Sequence, residues 1–433
     1  MTEHDHTPRR ALEHPTQPAR KLRVLVFTLV FPNPRQPLHG TFVFERVRHL
    51  AAVTDIHVVA PVPWFRPSRG SVDQPSIAPI LSVRRPRFWY IPKLLPAFRA
   101  IFLFLSTARN IRRLRAGFDF DLIDAHFAYP DGFAAILLGL WFNRPVCITL
   151  RGTIVQWSRR PLGRWLCDWA LRHAQQVIAV AQSLAERARQ GGVPECRIET
   201  IANGVDTERF RLRDRASARK ALDLSEDGQF LVSVGHISPR KGFHRVIRSL
   251  PRVLESCPQV RLAIVGGKGA EQDNSVELHA LARDLGLTDR IVFAGAQVPD
   301  RIALWLAAAD AFVLASDFEG CPNVILEAMA CGRPVVATKV GDIERMVPEF
   351  AGVLFSDPED QLALAESLVA VLSRDWQAQQ IHDHVAARSW DDVAQRVTAR
   401  WLLAVENFDP QRTSGPSVSM QDVVAKTAQG RRA

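Results

Sequence analysis

Short apolar runs that alternate with helical patterns restrict the fold of this chain more than any other feature. Five such runs precede residue 201, and apolar residues at helical spacing follow each of them. This alternation is interrupted over residues 201–220, and six further apolar runs follow between residues 230 and 355. Strands that alternate with helices predict parallel sheets. We therefore expect an α/β protein with two Rossmann-like domains that face each other across a cleft.

The domain boundaries follow from the same pattern. Residues 21–205 are predicted to form the N-terminal domain and residues 206–389 the C-terminal domain. Residues 390–408 have helical apolar spacing and are predicted to form a helix that crosses back to the first domain. Residues 1–20 and 409–433 are polar and without periodicity, so both are predicted to be disordered tails.

Charge is unevenly distributed along the chain. Residues 1–210 contain 29 Lys and Arg against 16 Asp and Glu, whereas the remainder contains 26 against 29. A basic half attracts phosphorylated substrates, anionic lipid or nucleic acid. The six cysteines are scattered and form no close pair, and the N-terminus has no apolar signal core. A cytoplasmic protein with reduced thiols is expected.

Two acids lie close together in residues 316–336. Glu319 is in a loop between two apolar runs, and Glu327 is in a short helix among apolar neighbours, where a carboxylate is costly without hydrogen-bond donors. Helical side chains lean toward the N-terminus, so Glu327 would point toward the loop of Glu319. The N–H groups of Gly320, Cys321 and Asn323 at the helix start favour an anion. The pattern predicts a pocket for a diphosphate flanked by sugar hydroxyls; alternatively, both acids are structural.

The second domain carries two more sequence features that are typical of phosphate-binding sites. Arg240 and Lys241 lie in a glycine-bounded loop after its first strand, where an anion is expected in such a sheet. Gly266 ends the next strand and would let backbone approach a ligand closely. Each feature is weak alone, but both lie at the same edge of the predicted sheet as Glu319.

Residues 97–115 combine a dense apolar block with five arginines. The uncharged stretch 100–108 is much shorter than the roughly twenty residues that a membrane crossing requires. A helix with apolar and arginine-rich faces fits the surface of an anionic membrane. The alternative is an ordinary amphipathic helix that covers a sheet and exposes its arginines to solvent.

The motifs resemble those of a known enzyme family. Glu319 and Glu327, with seven residues between them, resemble the paired glutamates of retaining glycosyltransferase family 4, which has the GT-B fold. The resemblance extends over most of residues 22–408 and includes PNPRQPLHGTFV, DLIDAHFAYPDG, VGHISPRKGF and EGCPNVILEAMACGRPVVAT. Polysaccharide-assembly transferases of the teichuronic-acid and exopolysaccharide type are the most similar members.

The resemblance implies roles for individual residues. Lys241 or Arg240 would hold the donor diphosphate, Glu327 the ribose hydroxyls and Glu319 the donor sugar. The residues assigned to catalysis are Glu319, His126 and Lys241. The candidate donor-binding residues are Gly40, His236, Arg240, Lys241, Gly266, Gly320, Cys321, Asn323, Val324 and Glu327. Three positions depart from the family pattern: His236 replaces a usual Arg, Ile154 a frequent Asp, and Asp342 a usual Gly.

The resemblance implies a retaining, metal-independent transferase that moves a sugar from a nucleotide-diphosphate donor to a lipid-linked saccharide or glycan, in polysaccharide or glycoconjugate biosynthesis. No cofactor and no metal are expected. The expected partners are the donor, the acceptor and an anionic membrane surface at the inner face of the cell membrane; the oligomeric state stays open. A sugar-nucleotide 2-epimerase on the same fold and a basic nucleic-acid-binding protein are the alternatives, although the two acids in the crevice argue against nucleic acid. The G-x-G-x-x-G that a nicotinamide-dependent dehydrogenase would need after the first strand is absent.

Overall fold

Two parallel sheets organise the described part of the chain, which in this computed structural model comprises residues 20–34, 36–37, 39–64, 79–90, 96–268 and 273–409. Apart from residues 20 and 409, the tails predicted over residues 1–20 and 409–433 lie outside the described residues. The strands are β1 (Arg23–Phe27), β2 (Asp55–Val59), β3 (Val62–Pro63), β4 (Ser82–Arg84), β5 (Arg87–Phe88), β6 (Leu122–His126), β7 (Val146–Leu150), β8 (Gln176–Ala179), β9 (Ile198–Thr200), β10 (Gln229–Val234), β11 (Val260–Val265), β12 (Ile291–Gly295), β13 (Ala311–Leu314), β14 (Val335–Thr338) and β15 (Gly352–Phe355).

Helices occupy most of the connections between these strands. They are α1 (Thr41–Val53), α2 (Arg99–Arg115), α3 (Phe133–Phe142), α4 (Thr153–Ser158), α5 (Pro161–His173), α6 (Gln182–Gln190), α7 (Arg215–Lys220), α8 (Phe243–Ser256), α9 (Ser275–Asp284), α10 (Pro299–Ala308), α11 (Asn323–Ala330), α12 (Ile343–Met346), α13 (Gln361–Ser373), α14 (Ala378–Ala386) and α15 (Trp390–Glu406). None of the described helices combines the length and the apolar character that a membrane crossing requires.

The strand order confirms the predicted fold class. The first sheet has the order β4-β2-β1-β6-β7-β8-β9 and the second the order β12-β11-β10-β13-β14-β15, and all pairings within both sheets are parallel. Strands β4 and β9 were not predicted from the sequence, because three residues are too few to show the alternation of apolar and polar side chains. Strands β3 and β5 form a separate two-stranded pair.

Helix α15 crosses back and completes the core of the first domain. Its buried face includes Trp390, Val397 and Trp401, and these side chains pack in one apolar cluster with Val24 and Val26 of β1. The side chain of Ser389 accepts a hydrogen bond from the backbone N–H of Asp392 and caps the helix start. The last helix therefore contributes buried apolar surface to a domain from which the chain departed nearly two hundred residues earlier.

Candidate active site

The cleft is lined by loops at the carboxyl ends of the central strands. In the first sheet the chain continues from β1 to β2 on one side and from β6 to β7 on the other, so the strand order reverses between β1 and β6. In the second sheet it reverses between β10 and β13. Ligands of open parallel sheets bind at such switch points. His126 is the last residue of β6, Arg240 and Lys241 follow β10, and Glu319 follows β13. The topology thus places four of the predicted site residues at the two switch points.

Lys241 and Glu319 form a direct ion pair at the edge of the second sheet. The Nζ atom of Lys241 lies 2.6 Å from Oε1 of Glu319, and the hydroxyl of Ser316 donates to the same oxygen over 2.8 Å. Arg240 lies beside them, with Nη1 3.5 Å from Oε1 of Glu319 and 2.8 Å from the carbonyl oxygen of Phe318. Both members of the pair are largely buried, so their charges interact strongly.

Gly266 and His236 lie at the same edge of the sheet. A Cβ atom on Gly266 would lie 1.8 Å from the carbonyl oxygen of Gly235, so the adjacent strand ends leave no room for a side chain. This packing between β10 and β11 is a structural reason for the glycine that does not involve a ligand. His236 is exposed at the end of β10.

The start of α11 contacts the first domain. The helix begins at Asn323, and the preceding Pro322 has an extended ψ of 107°. A Cβ atom on Gly320 would lie 3.4 Å from the Cα atom of Gly152, and Asn323 accepts a hydrogen bond from the Nδ2 atom of Asn203 over 2.7 Å. Between these contacts, Cys321 packs against the apolar clusters of both domains, and Val324 packs against that of the second domain.

Glu327 lies among different charges from Glu319. Burial is the main cause that raises the pKa of Glu327 from its usual 4.5 to about 7. Arg209 opposes this rise, whereas the carboxylates of Glu45 and Asp206 add to it. Arg209 in turn contacts Glu45 over 3.4 Å and Asp206 over 3.2 Å. The charged groups that act on Glu327 therefore belong to the linker and α1, whereas those that contact Glu319 are Arg240 and Lys241.

We expect Glu327→Gln to raise the melting temperature at pH 8 but not at pH 4.5. The native protein holds the Glu327 proton up to about pH 7, whereas the unfolded chain releases it near 4.5. Between these values the native state binds more protons, so this group lowers the free energy of unfolding as the pH rises. The exposed Glu255 provides the control variant Glu255→Gln. Thermal unfolding across this pH range measures the difference, and a pH-independent difference would contradict the assignment.

The first domain contributes Gly40 and His126. Gly40 precedes α1 with a left-handed φ of 76°, and its loop lies against Val30. His126 is fully buried, its Nε2 atom lies 3.3 Å from Oδ2 of Asp124, and its Nδ1 atom lies 3.4 Å from Nη2 of Arg151. Burial lowers the pKa of His126 to about 4, which leaves the imidazole neutral at physiological pH.

Sequence analysis missed several contacts that join the domains. The carboxylate of Asp342 accepts hydrogen bonds from the backbone N–H groups of Gln182, at short distance, and Ser183, over 3.0 Å, at the start of α6. Asp342 thus caps a helix of the opposite domain, a role that a pattern within one segment cannot reveal. Arg209 also bridges Glu45 of α1 and Asp300 of α10.

No group of three His, Cys, Asp or Glu side chains within the described residues could hold a metal ion. The chain does contain an Asp-x-Asp sequence at Asp119 and Asp121. Both aspartates precede β6, at the edge of the sheet opposite the cleft, where Asp119 pairs with Arg144 over 2.9 Å and Asp121 with Arg20 over 2.6 Å. These carboxylates are engaged in surface ion pairs away from the candidate site.

Two family models match the chain. Residues 39–209 match the model described as Glycosyltransferase Family 4, and residues 228–374 match the model described as Glycosyl transferases group 1. The first match covers the domain with Gly40 and His126, and the second covers the domain with Lys241, Glu319 and Glu327. Together they span both sides of the cleft.

Curated proteins and solved structures agree with these matches. The chain is 34% identical over 238 residues to D-inositol 3-phosphate glycosyltransferase of Acidothermus cellulolyticus, covering 51% of this chain and 53% of that protein, about half its length. It is 28% identical over 366 residues to the teichuronic acid biosynthesis glycosyltransferase TuaC of Bacillus subtilis, covering 80% of this chain and 88% of that protein.

Two solved structures have the same fold over nearly their whole length. Sucrose-phosphate synthase from Thermosynechococcus elongatus superimposes with a TM-score of 0.76 at 21% identity, over 88% of this chain and 98% of that chain. Anabaena HepE in complex with UDP and glucose superimposes with a TM-score of 0.68 at 21% identity, over 88% of this chain and 99% of that chain. With both halves of the cleft matched, the chain belongs to glycosyltransferase family 4, the group 1 glycosyltransferases with the GT-B fold.

Proposed function

We propose that the chain transfers a sugar from a nucleotide-diphosphate donor to a saccharide acceptor, with retention of anomeric configuration and without a metal ion. The observation that carries the proposal is the Lys241–Glu319 pair at the switch point of the second sheet, next to Gly320, which lies against Gly152 of the first domain. Glycosyl transfer builds negative charge on the leaving diphosphate and positive character on the sugar. A cation beside a carboxylate complements both changes.

Lys241 and Arg240 are the groups that stabilise the leaving diphosphate in this proposal. Before the donor binds, Lys241 is neutralised by Glu319 over 2.6 Å. A diphosphate is a stronger anionic partner than one carboxylate, so donor binding draws the ammonium group away from Glu319. The released carboxylate then accepts a hydrogen bond from a hydroxyl of the donor sugar. The ion pair is thus exchanged for two substrate contacts.

Glu327 binds the ribose hydroxyls in the same scheme. Two adjacent hydroxyls donate to the two carboxylate oxygens and offset the burial that raises the pKa of Glu327 to about 7. Donor binding therefore favours the ionised form of this side chain. His126 and the Gly40 loop approach from the other domain, where the acceptor binds.

A thermal-shift screen with UDP-, GDP- and ADP-sugars tests the donor half of the proposal. The matching donor raises the melting temperature by mass action, and Glu327→Ala loses the rise. Nuclear magnetic resonance of the product then reports the anomeric configuration, and retention is expected. Inversion would contradict the mechanism, and conversion of the nucleotide sugar to its 2-epimer without acceptor would favour the epimerase.

The acceptor is proposed to be a lipid-linked saccharide used in polysaccharide or glycoconjugate biosynthesis. TuaC is named for teichuronic acid biosynthesis, and it aligns with 80% of this chain. A lipid-linked acceptor requires the protein to lie at the membrane surface, which we expect to be the inner face of the cell membrane. The first domain has a surface with suitable chemistry.

We define the α2 face as the exposed side chains of Trp89, Leu105, Arg112, Arg113 and Trp141. Most of the apolar block of α2 packs into the core, as in an ordinary amphipathic helix, but Leu105 stays 56% exposed. Trp89 and Trp141 are 61% and 63% exposed, and the ring of Trp141 lies 5.7 Å from that of Phe104 in α2. The backbone N–H of Trp89 donates to Ser106 of α2 over 3.2 Å, which places this aromatic side chain next to the helix.

Basic residues predominate around the α2 face, where Asp119 pairs with Arg115 over 2.9 Å. Residues 74–118 contain nine Lys and Arg and no Asp or Glu. A groove of about 370 Å³ lies between Arg112, Arg115 and Trp141. Tryptophan side chains prefer the interface between water and lipid, and arginines near it attract anionic headgroups. The composition of the α2 face thus complements an anionic membrane.

We expect the double variant Arg112→Ser/Arg113→Ser to bind phosphatidylglycerol vesicles about thirtyfold more weakly than the wild type, because each cation near an anionic surface contributes about 1 kcal/mol. Trp89→Ser/Trp141→Ser is expected to weaken binding as well. Sedimentation with vesicles measures the affinity. Arg248→Ser/Arg252→Ser, which removes two exposed arginines of α8, is the matched control. Equal binding of all variants would contradict membrane docking through the α2 face.

A further inference from the structure

A buried polar cluster in the first domain has no role in the donor scheme. We define the arginine cluster as five buried side chains: Arg46, Asp124, His126, Thr149 and Arg151. Arg46 is in α1, and the other four are in β6, in β7 or directly after β7. Arg46 is 1% exposed and lies on the buried face of α1, among Val43, Val47 and Leu50. Arginine is seldom buried so completely without a partner.

The cluster contains hydrogen-bond donors that the protein does not satisfy. All three guanidinium nitrogens of Arg46 and the Nε atom of Arg151 have no hydrogen-bond partner among the described residues. The same holds for the Thr149 hydroxyl, and Nε2 of His126 lies 3.3 Å from Asp124 without the alignment of a hydrogen bond. A buried guanidinium group without acceptors is strongly unfavourable. Oδ2 of Asp124 is also without a hydrogen-bond partner, but four guanidinium nitrogens outnumber this one oxygen, so the cluster supplies too few acceptor atoms for its donors.

The net charge of the cluster indicates which acceptor atoms fit. Two guanidinium groups face one carboxylate, that of Asp124, and His126 is neutral because burial lowers its pKa to about 4. Burial, and then the charge of Arg46, lower the pKa of Arg151 to about 9, since the two cations lie close enough to repel each other. One positive charge is left uncompensated, and an oxyanion would compensate it.

The cluster adjoins the cleft on the side opposite the donor cations. Nη1 of Arg151 lies 3.3 Å from Oδ1 of Asn203, and Asn203 donates to Asn323 at the start of α11. The ring of Phe42, two residues after Gly40, lies 4.5 Å from the guanidinium carbon of Arg151. Arg151 is therefore at the boundary between the two domains, where an acceptor would meet the donor sugar.

We propose that Arg46 and Arg151 bind an oxyanion of the acceptor saccharide, either a phosphate or a sugar carboxylate. Guanidinium groups bind both through paired, charge-assisted hydrogen bonds. Such a contact orients the acceptor from the first domain while Lys241 and Arg240 hold the donor from the second. The assignment to the acceptor rests on the proposed function, whereas the oxyanion site itself does not.

The test uses full-length protein carrying Arg240→Gln and Lys241→Met, so that the donor site lacks both of its cations. Inorganic phosphate, glucuronate and neutral glucose are titrated in thermal-shift assays at constant ionic strength. We expect a saturable rise in melting temperature with phosphate or glucuronate, but not with glucose. The larger of the two shifts identifies the anion class. Adding Arg151→Gln or Arg46→Met is expected to weaken that binding at least tenfold.

Two variants are needed because Arg46→Met also removes a cation that attracts the buried Asp124. Circular dichroism verifies that each variant is folded, and Arg151→Lys, which keeps the charge, is expected to restore part of the binding. The proposal is overturned if neither anion gives a saturable shift, or if the shift persists in both arginine variants. Nucleotide-sugar binding by the wild type is measured in parallel: its absence would contradict the proposed transferase function and leave the oxyanion site standing.

Discussion

The variant Lys241→Met is expected to lower the turnover number for sugar transfer by about 100- to 1,000-fold, the loss typical of one preorganised electrostatic contact to developing charge. Lys241 is the cation that Glu319 holds at the switch point of the second sheet, and methionine keeps its length without its charge. Release of the nucleoside diphosphate, followed over time with saturating donor, measures the effect. Lys241→Arg restores a charge in a different geometry, so we expect it to recover only part of the rate.

The control for this experiment is Lys220→Met, which removes an exposed lysine at the end of α7. We expect that variant to transfer sugar at the wild-type rate. If Lys241→Met retained full turnover while correctly folded, the assignment of the diphosphate site to this loop would be wrong.

The second large effect is expected from Asp342→Ala, which should reduce kcat/KM by about 30-fold. Two hydrogen bonds from a charged group to a helix start contribute about 2 kcal/mol when they form only in one conformation. Asp342 accepts them from Gln182 and Ser183, across the cleft from its own domain. A Cβ atom on the preceding Gly341 would lie 2.1 Å from the carbonyl oxygen of Glu319. The capping contact therefore holds the first domain directly against the loop of Glu319.

Asp342 is a positioning residue, and closure of the cleft is the property to measure. Small-angle X-ray scattering is expected to show a larger radius of gyration for Asp342→Ala than for the wild type, with the melting temperature nearly unchanged. Glu344→Ala, two residues later and 67% exposed at its side chain, is the matched control. An unchanged radius together with a lower rate would point to direct contact between Asp342 and the donor instead.

Much of the candidate site was suggested by local sequence patterns. A carboxylate among apolar neighbours marked Glu327, and the glycine-bounded loop after a strand marked Lys241. In both cases chemistry and secondary structure lie in the same short segment, so their relation is visible in one window of sequence. The spacing of α1 also indicates a buried arginine, because Arg46 shares one face of the helix with Val43, Val47 and Leu50.

The alternation of apolar strands and helices was sufficient for the α/β class, since helical and extended periods depend only on neighbouring residues. The partners of Asp342, Arg46 and Arg151 depended on the tertiary structure. Asp342 and Gln182 are 160 positions apart, and Trp401 reaches Asp124 from 277 positions away. Contacts of that kind form only when the whole chain has packed, because their geometry depends on how two domains meet. The candidate donor residues could therefore be predicted from the sequence, whereas the arginine cluster and the contacts between the domains became visible only in the fold.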